Sequence, residues 1–157
     1  MNNSKILVTY FSASRVTEST ATNLQTMLNC DIYEIKPKDK YTNADLNWNN
    51  KQSRSCLEMN DLSYRPEMIK DDLNIDNYDT ILIGFPIWWN LAPTIINTFI
   101  ESYDLTNKDI YIYATSGGSS INNSYQQLVK QYPSLNFKAG MLTNNQRSLN
   151  TLVDTIK

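Results

Sequence analysis

The sequence contains no histidine and only two cysteines, Cys30 and Cys56, which stand at no metal-ligand spacing. Those absences exclude a zinc site and a Ser/His/Asp triad, both of which draw on imidazole or paired thiolates. Glycine is scarce as well: there are four, and no Gly-rich dinucleotide fingerprint follows the first apolar run. Charge of neither sign dominates. Fourteen Lys and Arg against sixteen Asp and Glu leave a net charge of -2 and no basic stripe, hence no electrostatic footprint for nucleic acid. Long hydrophobic runs are missing too, and Met1 to Lys5 is too short and too polar for a signal peptide. The expectation is a cytoplasmic protein that engages neither membrane nor nucleic acid.

What is present reads as one domain over residues 1–157. At 157 residues, 41% hydrophobic and 19% charged, the chain can bury a core and is neither disordered nor fibrous. Three apolar runs each end at a loop suited to something small and polar. Ile6–Phe11 enters Ser12-Ala13-Ser14-Arg15-Val16-Thr17, and Ile81–Phe85 enters Pro86-Ile87-Trp88-Trp89-Asn90. Ile110–Ala114 enters Thr115-Ser116-Gly117-Gly118-Ser119. Short continuous apolar runs read as strands buried on both faces, which implies a parallel sheet covered by helices. Ligands of such sheets bind beyond the carboxyl ends of the strands. A ligand with a phosphate and a flat aromatic ring would use all three loops.

Strands and helices alternate. Strands are expected at Lys5–Phe11, Asp31–Lys36, Thr80–Phe85, Asp109–Ala114 and Leu135–Ala139. Helical spacing follows the first strand at Val16, Ala21, Leu24 and Leu28, with further helices at Ala44–Met59 and after Pro93, where Ile95, Ile96, Phe99 and Ile100 form a stripe. Tyr125, Leu128, Val129 and Tyr132 mark another helix, and Leu149, Leu152, Val153 and Ile156 keep i, i+3, i+4, i+7 spacing. The second and fifth strands are polar, as edges would be. The three apolar strands then belong in the middle. The expectation is an α/β, three-layer, doubly wound fold with a five-stranded parallel sheet in order 2-1-3-4-5, its crevice at the switch between strands 1 and 3.

Tyr10-Phe11-Ser12-x-Ser14-x-x-Thr17, Gly84-Phe85-Pro86-Ile87-Trp88-Trp89 and Thr115-Ser116-Gly117-Gly118-Ser119 together resemble the flavodoxin family over nearly the whole chain. The last two motifs resemble most its short, single-domain FMN-binding members. The resemblance implies FMN as cofactor, and the missing dinucleotide fingerprint favours FMN over FAD. Implied cofactor-binding residues are Ser12, Ser14, Arg15, Val16 and Thr17 in the first loop, and Pro86, Ile87, Trp88, Trp89 and Asn90 in the second. Thr115, Ser116, Gly117 and Gly118 complete the set in the third.

The first loop stands at a helix start, where unpaired N–H groups and the helix dipole favour an anion without a metal. Ser14 is equally an ordinary N-cap. The family's usual Gly-Asn is Arg15-Val16 here, a loss of backbone freedom that Arg15 offsets if it hydrogen-bonds the phosphate. Glu18 repels a phosphate unless it turns away. Of Trp88 and Trp89, one is expected in the core and one against a flavin, where a flat ring supplies area at little entropic cost. Gly117-Gly118 admits the backbone to the ring's polar edge, or is a plain turn capped by Ser119. Tyr41 and Trp48 either pack the long second connection or reach over the flavin edge. Arg54 and Glu58, four apart, read as a surface pair worth a few tenths of a kcal/mol.

The implied function is electron transfer through non-covalent FMN. The alternatives are an NAD(P)H-dependent FMN reductase, an oxidoreductase that acts on quinone-like acceptors, or a weakly flavin-binding, non-catalytic member. Redox partner proteins, or a quinone and a nicotinamide, are the implied partners. Carriers of the family are usually strongly acidic and commonly hold a glycine in the second loop whose peptide flips on reduction. This chain has a net charge of -2 and reads Trp88-Trp89-Asn90 at that point.

Overall fold

Strand centrality follows from which runs are apolar on both faces, and the computed structural model, which describes residues 5–13, 15–47, 49–70, 73–116 and 120–156, bears this out. Its strands are β1 (Ile6–Tyr10), β2 (Asp31–Glu34), β3 (Thr80–Pro86), β4 (Asp109–Thr115) and β5 (Asn136–Leu142). They form an all-parallel sheet in the order β2-β1-β3-β4-β5. Helices α1 (Val16–Leu28), α2 (Arg54–Met59), α3 (Thr94–Ser102) and α4 (Asn122–Gln131) lie in the connections, and α5 (Gln146–Ile156) follows the last strand. Alternate side chains of each central strand feed two cores. Leu7, Ile81, Ile83, Ile110 and Ile112 pack with Ile95, Ile96 and Phe99 of α3 and Leu128 of α4. Val8, Leu82, Tyr111 and Tyr113 pack with Ala21 and Leu24 of α1 and Leu149, Leu152 and Val153 of α5. Two helix layers therefore enclose the sheet. No helix among the described residues is long and apolar enough to cross a membrane.

One contact locks the centre of the sheet. The Tyr113 ring crosses β3 at Gly84, its partner in register, and its hydroxyl donates to the Thr9 carbonyl of β1 at 2.8 Å. An added Cβ at Gly84 would stand 2.1 Å from Tyr113 Cζ, so only glycine fits beneath the ring.

The departures from expectation are local. The helix expected over Ala44–Met59 is confined to Arg54–Met59. Upstream, polar side chains compete for the backbone: Asn47 Oδ1 accepts the Asn49 N–H, Asn50 Oδ1 accepts the Gln52 N–H, and Thr42 and Asp45 bond each other's amides. Such Asx-type turns replace helical bonds. Strand β2 stops at Glu34, two residues early. Strand β5 runs on through Gly140, Met141 and Leu142, past an irregularity between Ile110 and Tyr111 of β4. Val16 is exposed (58%), because the first residue of α1 projects over the sheet edge and not onto the core.

Candidate functional site

All three loops meet at the carboxyl edge of β1, β3 and β4, and the switch point falls between β1 and β3 as the strand order requires. In the first loop Arg15 is the N-cap of α1, at φ 70° and ψ -9°. That is the left-handed region, which costs an L-residue about 1–2 kcal/mol. The place where the family's glycine is expected does need positive φ, and an arginine holds it. Ser12 Oγ accepts the Glu18 N–H at 3.2 Å, so Ser12 caps the first turn of α1. Ser14 itself lies outside the described residues. The amides of Val16 and Thr17 belong to the first helical turn, whose N–H groups have no intrahelical acceptor. Glu18 turns its carboxylate to the Tyr10 hydroxyl at 3.4 Å. Burial, reinforced by Glu34 and Glu18, pushes the Tyr10 phenol up to about 12.

Thr17 joins two of the loops. Its Oγ1 lies 2.8 Å from Thr115 Oγ1, both side chains being buried. One hydroxyl of the pair donates to the other, which leaves the acceptor's own hydrogen available to a third group. The third loop is then held from the far side: Asn144 Oδ1 accepts the Ser116 N–H at 3.2 Å and Asn144 Nδ2 donates to the Ser116 carbonyl at 2.9 Å. Asn144 was missed by sequence reasoning, since nothing local marks an asparagine after a strand as a brace for another loop. Gly117, Gly118 and Ser119 lie outside the described residues.

The second loop is a closed two-residue hairpin. Trp88 and Leu91 exchange both backbone hydrogen bonds at 2.9 Å, and the two residues between them, Trp89 and Asn90, have φ of 50° and 64°. Positive φ at both central positions is the signature of a type I′ turn. One of the two tryptophans is in the core, as expected: Trp88 is 5% exposed, whereas Trp89 is 38% exposed. Pro86 closes β3, half-buried, opposite Thr115. The Ile87 N–H donates to the Thr115 carbonyl at 3.0 Å, and the Ile87 side chain is in the core, so of this residue only backbone faces the edge. Where the loop enters α3, Thr94 Oγ1 is buried with no hydrogen-bond partner among the described residues.

Tyr41 packs the long second connection, the first of the two roles expected of it. Its ring meets Phe11 and Trp88 edge-on, at centroid distances of 5.5 and 5.4 Å, so the long second connection packs against the first two loops. Trp48 lies outside the described residues. The pair Arg54–Glu58 is not a surface pair. Glu58 is buried, accepts the Tyr41 hydroxyl, and accepts Arg54 Nε at 3.0 Å. The guanidinium lies over the Tyr41 ring, 3.8 Å from its centroid, and donates to the Asp39 carbonyl at 2.7 Å. Burial and then the bond to Glu58 hold the Tyr41 phenol well above its ordinary pKa, so it stays a donor. Sequence spacing shows the helical pair but not a tyrosine at |i−j| of 17 that roofs it over.

Beside the first loop, on its β2 side, lies a crevice of about 370 Å³ between Phe11, Arg15 and Tyr41. It is also lined by Lys36, Lys38 and Lys40, which sequence reasoning passed over although they alternate directly after the second strand. No group of three or more potential metal ligands occurs among the described residues.

Comparison with known proteins agrees with this geometry. No curated protein matches the chain significantly. Among solved structures, a protein assigned as a flavoprotein from Bacteroides eggerthii is 51% identical, with a TM-score of 0.94 over 98% of both chains. A second, from Bacteroides uniformis, is 44% identical, with a TM-score of 0.92 over 98% of this chain and 99% of the other. A Lactobacillus acidophilus flavoprotein solved in complex with FMN is 21% identical and shares the fold, with a TM-score of 0.80 over 98% of this chain and 99% of its own. The flavodoxin family model matches residues 5–157. The chain belongs to the flavodoxin family.

Proposed function

We propose that the protein binds FMN non-covalently at the joined edge of β1, β3 and β4 and acts there as a redox protein. The observation that carries this reading is the Thr17–Thr115 bridge, which joins a helix N-terminus to the third loop, while the Ile87 N–H to Thr115 carbonyl bond ties in the aromatic hairpin. The donor set fits the cofactor. Ser12, Arg15, Val16 and Thr17 surround the proposed phosphate position, to which Ser14 is assigned from the sequence, and first-turn amides and the helix dipole there favour a dianion. Pro86, Ile87, Trp88, Trp89 and Asn90 offer a flat apolar wall with Trp89 at its exposed tip. Thr115 and Ser116 face the proposed polar edge of the ring, with Gly117 and Gly118, outside the described residues, assigned to it from the sequence, and Thr94 at the entry to α3 has a buried hydroxyl with no hydrogen-bond partner among the described residues. Bound FMN supplies one- and two-electron redox chemistry that no side chain here offers. The Lactobacillus flavoprotein holding FMN supports the assignment by fold. Titrating the apo-protein should quench FMN fluorescence through the second-loop aromatics. Tight binding of FAD with no binding of FMN overturns the assignment.

Arg15 has a specific role in this reading. Among the described residues its guanidinium makes no ion pair, and it is exposed at the start of α1, within reach of the phosphate position. A hydrogen bond to a charged group is worth about 1.5–3 kcal/mol, or roughly one to two decades in affinity. Arg15→Ala should weaken FMN by that factor and leave riboflavin, which lacks the phosphate, unchanged. The difference should shrink with added salt, as an exposed contact is screened. Equal losses for both ligands would assign Arg15 to loop conformation instead.

The hairpin favours two-electron chemistry over single-electron carriage. Reversing the Trp89–Asn90 peptide converts a type I′ turn to type II′, which keeps positive φ at the first central position and strongly prefers glycine there. Trp89 occupies that position, so the turn has no low-energy flipped form. On that argument the protein serves as an NAD(P)H-dependent oxidoreductase. Hydride from the nicotinamide and a proton from solvent together reduce a quinone-like acceptor to its hydroquinone. Potentiometric titration should then show one two-electron wave. Two well-separated one-electron waves would return the assignment to a carrier.

A further inference from the structure

We propose that the crevice between β1 and β2 is a second ligand site, adjoining the flavin site, that takes the adenosine-phosphate half of a nicotinamide dinucleotide. The inference deepens the oxidoreductase reading by giving the electron donor a place to dock. Its volume of about 370 Å³ falls within the range of small-molecule sites, roughly 300–1,000 Å³.

Three features select the ligand class. One wall is apolar and partly aromatic, with Pro37, Tyr41 and Ile69 against the buried ring of Phe11, which suits a flat base. A second feature is positive charge: Lys36, Lys38 and Lys40 line the crevice, beside Ser12 and Arg15, which it shares with the proposed flavin-phosphate site, although the chain as a whole has a net charge of -2. Lys38 is paired with Glu67 at 3.0 Å, whereas Lys40, like Arg15, makes no ion pair among the described residues. A third feature is Glu34, the last residue of β2, which faces the same space as these cations, with Glu18 beyond it. An ionised carboxylate only accepts hydrogen bonds, which suits it to the hydroxyls of a ribose. Cations alone would accept any anion; cations beside a carboxylate and an apolar wall fit a ribonucleoside phosphate.

The wall is built rather than loose. Pro37 and Met68 form an antiparallel bridge, flanked by Lys38 N–H to Glu67 carbonyl at 2.9 Å and Ile69 N–H to Lys36 carbonyl at 2.8 Å. The roof is fixed as well, since Tyr41 is bonded to the buried Glu58 and capped by Arg54. The site therefore needs little ordering when a ligand arrives, which favours binding.

The test uses the FMN-loaded protein and ADP as probe, followed by calorimetry. ADP should bind one site with a dissociation constant tighter than about 1 mM, the weak end of the affinity scale. The double variant Lys36→Gln, Lys40→Gln should lose tenfold or more of that affinity, since each lysine–phosphate bond is charge-assisted. Adenosine should bind both proteins alike, and FMN affinity should not change. ADP that displaces FMN, or an equal loss of FMN affinity in the variant, would make the crevice the phosphate end of the flavin site and overturn the proposal. So would an absence of ADP binding to the loaded protein. If the protein takes up no FMN but binds ADP in a lysine-dependent way, the second site stands and the flavin reading falls.

Discussion

Gly84→Ala should cost about 2–6 kcal/mol of folding stability, the sum of overpacking and of a buried hydroxyl losing its acceptor. The added methyl would lie 2.1–2.5 Å from Cζ, Cε2 and Oη of Tyr113, a side chain with no solvent exposure. Neither partner has room to yield. Moving the ring breaks its bond to the Thr9 carbonyl, and moving β3 disturbs its pairing with both β1 and β4. Against a total stability of typically about 5–15 kcal/mol, such a loss is severe. Urea denaturation of the purified variant reads it directly as a lowered midpoint. The mechanism has its own control. In a Gly84→Ala, Tyr113→Leu double variant the ring is gone, so the two costs should be clearly sub-additive. A Gly84→Ala midpoint equal to that of the parent would show that the ring is not clamped over this glycine.

The second large effect is expected at Glu58. Its buried carboxylate accepts both the Tyr41 hydroxyl and Arg54 Nε, so Glu58→Ala strands a phenol and a half-buried guanidinium together. Removing one member of a buried pair costs about 3–5 kcal/mol. Arg54 keeps the Asp39 carbonyl and an Asp45 carboxylate at 3.9 Å, which lowers the expected loss to about 2–4 kcal/mol by partial compensation. Glu58→Gln retains an acceptor for Tyr41 and should cost less. Because the Tyr41 ring abuts Phe11 and Trp88, the alanine variant should also lose near-ultraviolet circular dichroism while the glutamine variant keeps most of it. A loss below about 0.5 kcal/mol, the range of ordinary surface changes, would restore the reading of Arg54 and Glu58 as a solvated pair.

The parts legible in the sequence are those decided by strand burial. Ile81–Phe85 and Ile110–Ala114 carry no charged or amide side chain, as strands covered on both faces do, which puts the apolar strands in the middle of the expected order 2-1-3-4-5. The site edge comes with it, because the loops opening at Ser12, Pro86 and Thr115 directly follow the three apolar runs. The long second connection is different. Its asparagines favour side-chain-to-backbone turns as readily as a helix, and tertiary contacts decide between them. The burial of Glu58 depends on Tyr41 and the bracing of Ser116 on Asn144, and both are long-range pairings without a local periodic signal. The lysines at 36, 38 and 40 do have a signal, alternation after a strand. It takes on meaning only once Phe11 and Glu34 are seen to share the same crevice.

The central claim is that FMN sits across the three loops at the carboxyl edge of the sheet. Amide nuclear magnetic resonance of the isotopically labelled apo-protein, followed through an FMN titration, tests this most directly. The largest shifts are expected at Ser12, Arg15, Val16 and Thr17, at Trp88, Trp89 and Asn90, and at Thr115 and Ser116, because ring currents and a phosphate charge act strongly on nearby amides. Riboflavin should reproduce the second- and third-loop shifts and leave those of Val16 and Thr17 small. Saturable shifts confined to another face of the molecule, or none at millimolar FMN, would contradict the account.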